Sequence, residues 1–409
     1  MTIVGQRVKS NFLTYYQCFL AVTSVLVFFT EADNYFFDIG ITPAPKNVVL
    51  LFCLASTPLL ISLRSRNFQY IPMSVIIWCS LYLGISAASF LHSVPTGGVI
   101  QEFETRVLTV IFLLLMTLIF SGEPIVRKYA RWTLFIAIFI TIFNNFSELL
   151  DPLAFNGLNQ TGRPAGFYKD PNKSAAALIM GLIFTIGLVP KRIRFPYFLL
   201  IFVGSFITFS RGAFLCLLML LVYLVLKRSI SVSQFFPIIS LLIIFFAVGD
   251  IGNYLIYQAQ DSGIVSSSIA RRIEAITNIT DPDARETDGG SRTNIATIAW
   301  RTFLKKPFIG YGIGYIKEWN EILPHNMYLT FMIEHGFIGV LIVPSLVFAA
   351  NRNAYREARR LGFLFGCFIL IWSIFSNTVL KDREILMMFA LLAVTSKYSR
   401  LKQSNMRRL

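Results

Sequence analysis

Three arginines and one histidine are the residues of this sequence best suited to group-transfer chemistry: Arg163, Arg211, Arg292 and His325. A guanidinium presents a planar fork of N–H donors, and several forks facing one cavity are typical of a pyrophosphate or other polyanion site. A neutral imidazole accepts a hydroxyl proton near neutral pH, which is general-base chemistry. Singly, each arginine also fits a residue that snorkels to a membrane surface or pairs within a loop. The prediction therefore depends on convergence of all four residues.

The composition determines which kind of fold must position them. The chain has 409 residues, of which 55% are hydrophobic and 14% are charged. Apolar stretches long enough for a bilayer of about 30 Å recur along nearly its whole length. Since lipid offers the backbone no hydrogen-bond partners, these stretches must be helices. The sequence predicts an all-α polytopic membrane protein surrounded by membrane lipids.

The hydropathy pattern predicts about twelve transmembrane helices in one integrated membrane domain. Residues 1–250 hold spans one to nine, residues 251–324 form a long loop, and residues 325–409 hold spans ten to twelve and a basic tail. The predicted spans are roughly 11–30, 46–63, 71–91, 106–121, 132–150, 173–189, 195–209, 212–226, 234–250, 325–349, 361–379 and 384–396.

The positions of the charges predict the orientation. Most Lys and Arg residues outside the long loop lie in short loops on the side of the N-terminus, which predicts that both termini are cytoplasmic. A formal charge of +15 distributed between spans fits a membrane surface and argues against nucleic acid as a partner. All four candidate residues map to the opposite face. The long loop there predicts two short amphipathic helices, in SSSIARRIEAITNI and GSRTNIATIAWRTFLKKP.

Several other polar groups and motifs need an interpretation. Glu334 falls deep in a predicted span, where an unpaired charge is costly, so it either pairs with a basic group or has a functional role. His335 beside Gly336 is typical of a packing or turn residue. GYGIG at 310–314 lacks the preceding strand of a nucleotide-binding loop and indicates close backbone packing. No carboxylate cluster has metal-binding spacing, so no metal site is predicted.

Four short motifs together resemble the O-antigen ligase and O-antigen polymerase superfamily of bacterial inner-membrane glycosyltransferases. They are GRPAGFYKDPNKSAA, FSRGAF, GSRTNIATIAWRTFLKKPFIGYGIG and HNMYLTFMIEHGFIG, which occur in the family's order and on one predicted membrane face. The resemblance covers most of residues 155–340. Each motif is degenerate by itself, and the specificity comes from the combination.

The resemblance implies a reaction and roles for the candidate residues. A glycan carried on undecaprenyl pyrophosphate would be transferred, on the periplasmic face of the inner membrane, to a hydroxyl group of an acceptor. Neither a nucleotide sugar nor a divalent metal is needed, and no cofactor is expected. His325 would be the general base, and Arg163, Arg211 and Arg292 would bind the pyrophosphate. Asn172, Asn326 and Glu334 match family positions of supporting role.

The superfamily contains two activities with the same donor. A ligase transfers the glycan to lipid A–core oligosaccharide, whereas a polymerase transfers it to another lipid-linked chain. The single long loop and compact length resemble a ligase, with the polymerase as the alternative. A lipid-linked oligosaccharide flippase or other transporter would also explain twelve spans, but it predicts internal repeats and polar groups near the membrane midplane.

Overall fold

A computed structural model describes residues 12–62, 68–151, 153–155, 163–227, 291–318 and 324–406. Every regular element in these ranges is helical. The predicted span 234–250 and the predicted amphipathic helix in SSSIARRIEAITNI lie outside the described residues. The helical class agrees with the expectation that apolar segments in lipid must satisfy their own backbone groups.

The helices are numbered here in chain order. The α-helices are α1 (Phe12–Ser24, continued by a π-helix, Val25–Phe29), α2 (Ala32–Asp38), α3 (Pro45–Ala55), α4 (Thr57–Ser62), α5 (Met73–His92), α6 (Gly97–Phe120), α7 (Pro124–Leu150), α8 (Pro171–Thr185), α9 (Arg194–Phe206), α10 (Arg211–Leu226), α11 (Ser291–Lys305), α12 (Met327–His335), α13 (Ile342–Asn351), α14 (Glu357–Phe375) and α15 (Arg383–Met406). Short 3₁₀ turns lie at Phe68–Tyr70, Gly166–Tyr168, Lys191–Ile193, Tyr315–Glu318 and Gly336–Leu341.

Six of the described helices are long and apolar enough to cross a membrane. They are Phe12–Phe29, Met73–His92, Gly97–Phe120, Pro124–Leu150, Met327–Asn351 and Glu357–Phe375. Pro45–Ala55 and Arg211–Leu226 are shorter apolar helices. The protein is therefore polytopic and all-helical, while the count of twelve spans and the division at residues 250 and 324 stay predictions.

The centre of the bundle is formed by helices that are buried on nearly all sides. Helix α15 is buried from Glu384 to Val394, and Phe389 meets Phe365 of α14 edge to face at 4.9 Å. Helix α8 lies against α7 at Gly181, where an added Cβ would lie 2.5 Å from Ile138 Cγ1. Small residues allow such close helix approach in a medium without a hydrophobic driving force between helices.

Contacts between distant segments define two ends of the bundle. At the end that we call the upper end, Lys173 reaches Asp382 (2.8 Å) and Lys381 reaches Glu102 (2.8 Å). At the opposite, lower end, Arg400 reaches Asn353 (2.9 Å). The upper end holds the connections that follow α1, α5, α7, α9, α11 and α14. We predict that it faces the periplasm, from the charge pattern of the loops.

Candidate functional site

Arg163 is buried at the upper end and binds a neighbouring turn. Its side chain is only 3% exposed, and Nη1 donates to the carbonyl oxygens of Thr208 (3.1 Å) and Phe209 (3.2 Å). Both carbonyls belong to the connection between α9 and α10, and Phe209 has a positive φ of 51°. The guanidinium thus joins the Gly/Pro-rich loop that begins at residue 163 to the turn before α10.

Arg211 is the first residue of α10, two positions after a carbonyl that Arg163 binds. The hydroxyl of Ser210 caps the helix by accepting from the amide of Ala213 (3.4 Å). The Arg211 side chain is exposed, at the positive end of the α10 dipole. The structure therefore brings together the two sequence segments that were predicted to bind a pyrophosphate, and it gives the two arginines different surroundings.

His325 lies beside the same part of the bundle, at the start of α12. It is exposed and precedes Asn326, whose Oδ1 caps the helix by accepting from Leu329 N (3.1 Å). The amide of Met327 donates to the carbonyl of Ser376 (3.1 Å), which follows the end of α14. A capped and anchored helix start therefore holds His325 in place.

Helix α14 connects the histidine to the arginine turn. Gly212 of α10 lies so close to Phe375 that an added Cβ would be 3.1 Å from Phe375 Cγ. Phe375 is the last residue of α14, and the next residue, Ser376, accepts the hydrogen bond from Met327. The helix starts that carry Arg211 and His325 therefore contact the same helix end.

Arg292 is the second residue of α11, and its side chain lies outside the described residues. The helix contacts α12 near the C-terminal end of α12, because Phe303 packs with Ile333 in a small buried cluster. Phe303 also meets Phe337 edge to face at 5.2 Å. The structure thus packs the helix that carries Arg292 against α12, at the end of α12 that is distant from His325.

The backbone amides of the loop after Arg163 attach it to the side chain of Glu148 in α7. The amides of Ala165 and Gly166 donate to Oε2 of Glu148 (2.7 and 2.6 Å), and Gly166 has a φ of 58° that favours glycine. Asp170 caps α8 by accepting from the amide of Asn172 (2.8 Å). Asn172 therefore supports the helix start through its backbone amide.

Lys173, in the first turn of α8, pairs with two acidic residues from distant segments. Its ammonium lies 3.2 Å from Glu31 and 2.8 Å from Asp382, and both of these carboxylates are buried. Asp33 pairs nearby with Arg383, and burial raises the pKa of the Asp33 carboxyl to about 6. Burial also raises the pKa of Asp382, although Lys173 opposes that shift. The segment 31–45 contributes Glu31 and Asp33 to this network.

Glu334 pairs with a basic group, one of the two alternatives that the sequence left open. Its Oε2 binds the guanidinium of Arg106, and its Oε1 accepts from the amide of Gly314 (2.9 Å). Arg106 Nη1 lies 2.6 Å from Nε2 of the buried His335 and 3.2 Å from the hydroxyl of Ser86. Arg106 thus belongs to a cluster of ionisable side chains that also contains Glu102, Lys317, Glu334, His335 and Lys381.

Sequence reasoning missed Arg106 and Glu102 because the predicted span began at residue 106. Helix α6 begins at Gly97, where the hydroxyl of Thr96 accepts from the amide of Val99 (3.4 Å). The extra turns carry Glu102 into the bundle one turn before Arg106, with Nε and Oε1 3.6 Å apart. A Thr-Gly helix start followed by an acid and a base at (i, i+4) in an apolar run was the available signal.

The GYGIG motif is packed against the end of α12, as its lack of a preceding strand indicated. The amide of Tyr311 donates to the carbonyl of Ile333 (2.8 Å), and that of Gly312 donates to the carbonyl of Glu334 (3.1 Å). Gly314 has a φ of 73°, and an added Cβ there would lie 2.8 Å from Val99 Cα. The glycines therefore permit backbone contact between this segment, α12 and α6.

Comparison with known proteins gives one family. Residues 196–343 match the model of a family described as O-antigen ligase. The matched range runs from α9 into α13 and includes Arg211, Arg292, His325 and Glu334, whereas Arg163 lies before it. A comparison with curated proteins returned no match.

Among the described residues, no group of three or more His, Cys, Asp or Glu side chains is arranged to hold a metal ion.

Proposed function

From the match of residues 196–343 to the model of a family described as O-antigen ligase, we propose that this membrane protein is an O-antigen ligase. Its donor would be a glycan on undecaprenyl pyrophosphate, and its acceptor a hydroxyl group of lipid A–core oligosaccharide. The reaction would take place on the periplasmic face of the bacterial inner membrane, at the upper end of the bundle. A metal ion or other cofactor is not part of the proposal.

The observation that carries the proposal is a series of contacts that links the segments of Arg163, Arg211 and His325. Arg163 binds the carbonyl of Phe209, which lies two residues before Arg211. The helices that start at Arg211 and just after His325 both contact the end of α14, through Phe375 and Ser376. Two guanidinium groups, a helix N-terminus and an imidazole thus share one region of the upper end, which suits a pyrophosphate leaving group beside a hydroxyl acceptor.

The chemistry follows from this arrangement. The acceptor oxygen attacks the anomeric carbon of the donor, the bond from that carbon to the pyrophosphate oxygen breaks, and His325 takes the hydroxyl proton. Negative charge grows on the departing pyrophosphate, and positively charged groups placed there beforehand lower the energy of that transition state. Arg211 is exposed and suited to direct contact. Arg163 also fixes the turn that presents Arg211.

The test is deletion of the gene followed by gel analysis of lipopolysaccharide and of lipid-linked glycan. A ligase predicts loss of all O-antigen-capped lipopolysaccharide while polymerised lipid-linked chains persist. Core that carries a single repeat unit would instead identify a polymerase. Unchanged profiles would overturn both activities, and accumulation of unflipped donor on the cytoplasmic side would identify a transporter.

The role of His325 is tested by complementing the deletion with His325→Ala. A matched control is His92→Ala, because His92 is exposed and lies at the end of α5 on the same side of the bundle. We expect His325→Ala to lower the rate of ligation about a hundredfold or more, as is typical on loss of a general base, with the control close to wild type. Near-normal ligation by His325→Ala, at equal protein level, would exclude the base assignment.

A further inference from the structure

A second cationic site lies at the lower end of the bundle, away from the proposed active site. It is a cavity of about 360 Å³ between α7, α8, α9, α10 and α14. Among the described residues, five basic side chains line it together with one carboxylate, that of Glu357. The basic residues are Arg131, Lys191, Arg194, Lys227 and Arg360.

Two of the basic groups are fixed by the backbone at the inner wall. Nε of Arg131 donates to the carbonyl of Phe184 (2.9 Å), near the end of α8, and Nε of Arg194 donates to the carbonyl of Val189 (3.0 Å). Gly187 allows Arg131 to approach, because an added Cβ would lie 3.2 Å from its Nη2. Because both Nε–H groups are used in this way, the fold holds the guanidinium groups at defined positions on the cavity wall.

The other three basic groups, Lys191, Lys227 and Arg360, are exposed at the rim of the cavity. Lys191 follows α8, Lys227 follows α10, and Arg360 lies in the first turn of α14. Positively charged residues are common at this end of a membrane protein. Their convergence on one concave site, with one carboxylate among them, is what indicates a bound anion.

The remaining wall of the cavity is apolar and continues into the membrane-embedded part of the helices. It is lined by Ile183, Ile186, Leu224, Leu361 and Leu364, with Tyr223 beside them. A freely soluble phosphate would gain nothing from this wall. A phospholipid would place its phosphate among the cations and an acyl chain along the apolar side chains.

We propose that this cavity binds the phosphate headgroup of an anionic phospholipid from the leaflet at the lower end of the bundle. A free phosphate and a phospholipid would both present a phosphate oxyanion to the Lys and Arg side chains. The apolar wall favours the phospholipid, because only the lipid has an acyl chain to place there. The proposal does not depend on the activity at the upper end.

The experiment measures phospholipid binding to the full-length protein in a neutral detergent. One variant removes the rim charges with Lys191→Gln, Lys227→Gln and Arg360→Gln. The control removes three exposed charges at the same end that do not line the cavity, with Lys128→Gln, Arg192→Gln and Arg359→Gln. Phosphatidylglycerol, phosphatidylcholine and inorganic pyrophosphate are titrated separately, and native mass spectrometry counts the bound lipids.

We expect phosphatidylglycerol to bind wild type and control with similar Kd, and the rim variant with a Kd at least about tenfold higher. Phosphatidylcholine should bind all three proteins weakly. If phosphatidylglycerol binds both variants more weakly to the same extent, the lipid responds to the total positive charge at this end, and the proposal of a specific site is wrong. Pyrophosphate binding that is lost in the rim variant, without binding of phosphatidylglycerol, would overturn the lipid as the ligand. Circular dichroism and thermal unfolding verify that both variants are folded.

Discussion

Glu334 and Arg106 form an ion pair inside the helix bundle, although 228 residues separate them in the chain. Their side chains are 3% and 1% exposed. The other carboxylate oxygen of Glu334 accepts from the amide of Gly314, so the pair fastens α6, α12 and the GYGIG segment to one another. Glu334 belongs to the helix that begins after His325 and lies within the residues that match the family model, whereas Arg106 lies before them.

Breaking this pair should destabilise the protein strongly. We expect Glu334→Gln to lower the free energy of unfolding by about 3–5 kcal/mol, because it removes the carboxylate that binds the buried guanidinium directly and leaves only Glu102, 3.6 Å from Nε. Thermal or denaturant unfolding in one detergent measures the loss. The control is Glu104→Gln, which removes one partner of the exposed pair with Lys46 (3.8 Å) and should change stability by less than about 1 kcal/mol.

The double variant Arg106→Met/Glu334→Leu tests whether the loss of stability in Glu334→Gln comes from the unpaired buried charge. Replacing both charges with apolar groups removes the penalty of an unpaired buried charge, so the double variant should be more stable than Glu334→Gln. Glu102 loses a neighbour in that variant but keeps Lys381 at 2.8 Å. A Glu334→Gln protein that unfolds like wild type would contradict the importance of the pair.

Gly314 should not tolerate a side chain. Its φ of 73° is in the left-handed region, and an added Cβ would lie 2.8 Å from the backbone of Val99. We expect Gly314→Ala to cost about 1–3 kcal/mol of unfolding free energy and to reduce ligation, because the strain is adjacent to the Glu334 contact. Gly84→Ala is the matched control: Gly84 is helical, and nothing lies within 4 Å of an added Cβ. That control should be neutral or stabilising by up to about 1 kcal/mol.

The helical class and the bounds of several helices could be predicted from local features of the sequence. The length and apolarity of runs such as 71–91 predict the observed helix Met73–His92 within a few residues. The GSRTNIATIAWRTFLKKP pattern likewise corresponds to the helix Ser291–Lys305, before Pro307. These features depend on backbone hydrogen bonding and periodicity, which neighbouring residues determine.

The partners of the buried charges could not be predicted in the same way. The Lys173–Asp382 and Arg106–Glu334 contacts join residues more than 200 positions apart, and hydropathy carries no information on which helices are neighbours. The sequence therefore gives no partner for Lys173 or for Arg106, which lie at the edges of predicted spans. An Arg or Lys in an apolar run indicates that a partner exists, but it does not identify that partner.

Arg163 and Arg211 should give different results when each is replaced by alanine. Arg163→Ala removes two hydrogen bonds from a buried guanidinium to backbone carbonyls and should lower the free energy of unfolding by about 3 kcal/mol. Arg211 is exposed, so Arg211→Ala should change stability by less than about 0.5 kcal/mol. It should nevertheless lower ligation by roughly tenfold or more, because a charge-assisted contact with pyrophosphate is lost.

Ligation and unfolding measured on the same preparations distinguish these two effects. Lowering the assay temperature should restore part of the activity of Arg163→Ala, whose turn is only loosened, and none of that of Arg211→Ala. Full ligation activity in Arg211→Ala would remove this residue from the proposed pyrophosphate site. Wild-type stability of Arg163→Ala would show that the turn between α9 and α10 does not depend on it.

Asp33 should make the stability of the protein depend on pH between about 4 and 6. Burial raises the pKa of this carboxyl from 3.8 to about 6, and the nearby Arg383 opposes the shift. The folded state therefore holds a proton that the unfolded chain releases in this window. The resulting stabilisation is fully present below pH 3.8 and is lost as the pH rises to about 6, by roughly 3 kcal/mol at most.

Unfolding of wild type, Asp33→Asn and Asp151→Asn at pH 4.5 and 7.5 measures this dependence. Asp33→Asn removes the carboxylate that pairs with Arg383, so this variant should be less stable than wild type at pH 7.5. The part of the pH dependence that is due to Asp33 should disappear in it. Asp151 is exposed after the end of α7, and its variant should keep the wild-type dependence. If Asp33→Asn loses as much stability as wild type between the two pH values, the proton is held elsewhere in the buried charge network around Lys173 and Asp382.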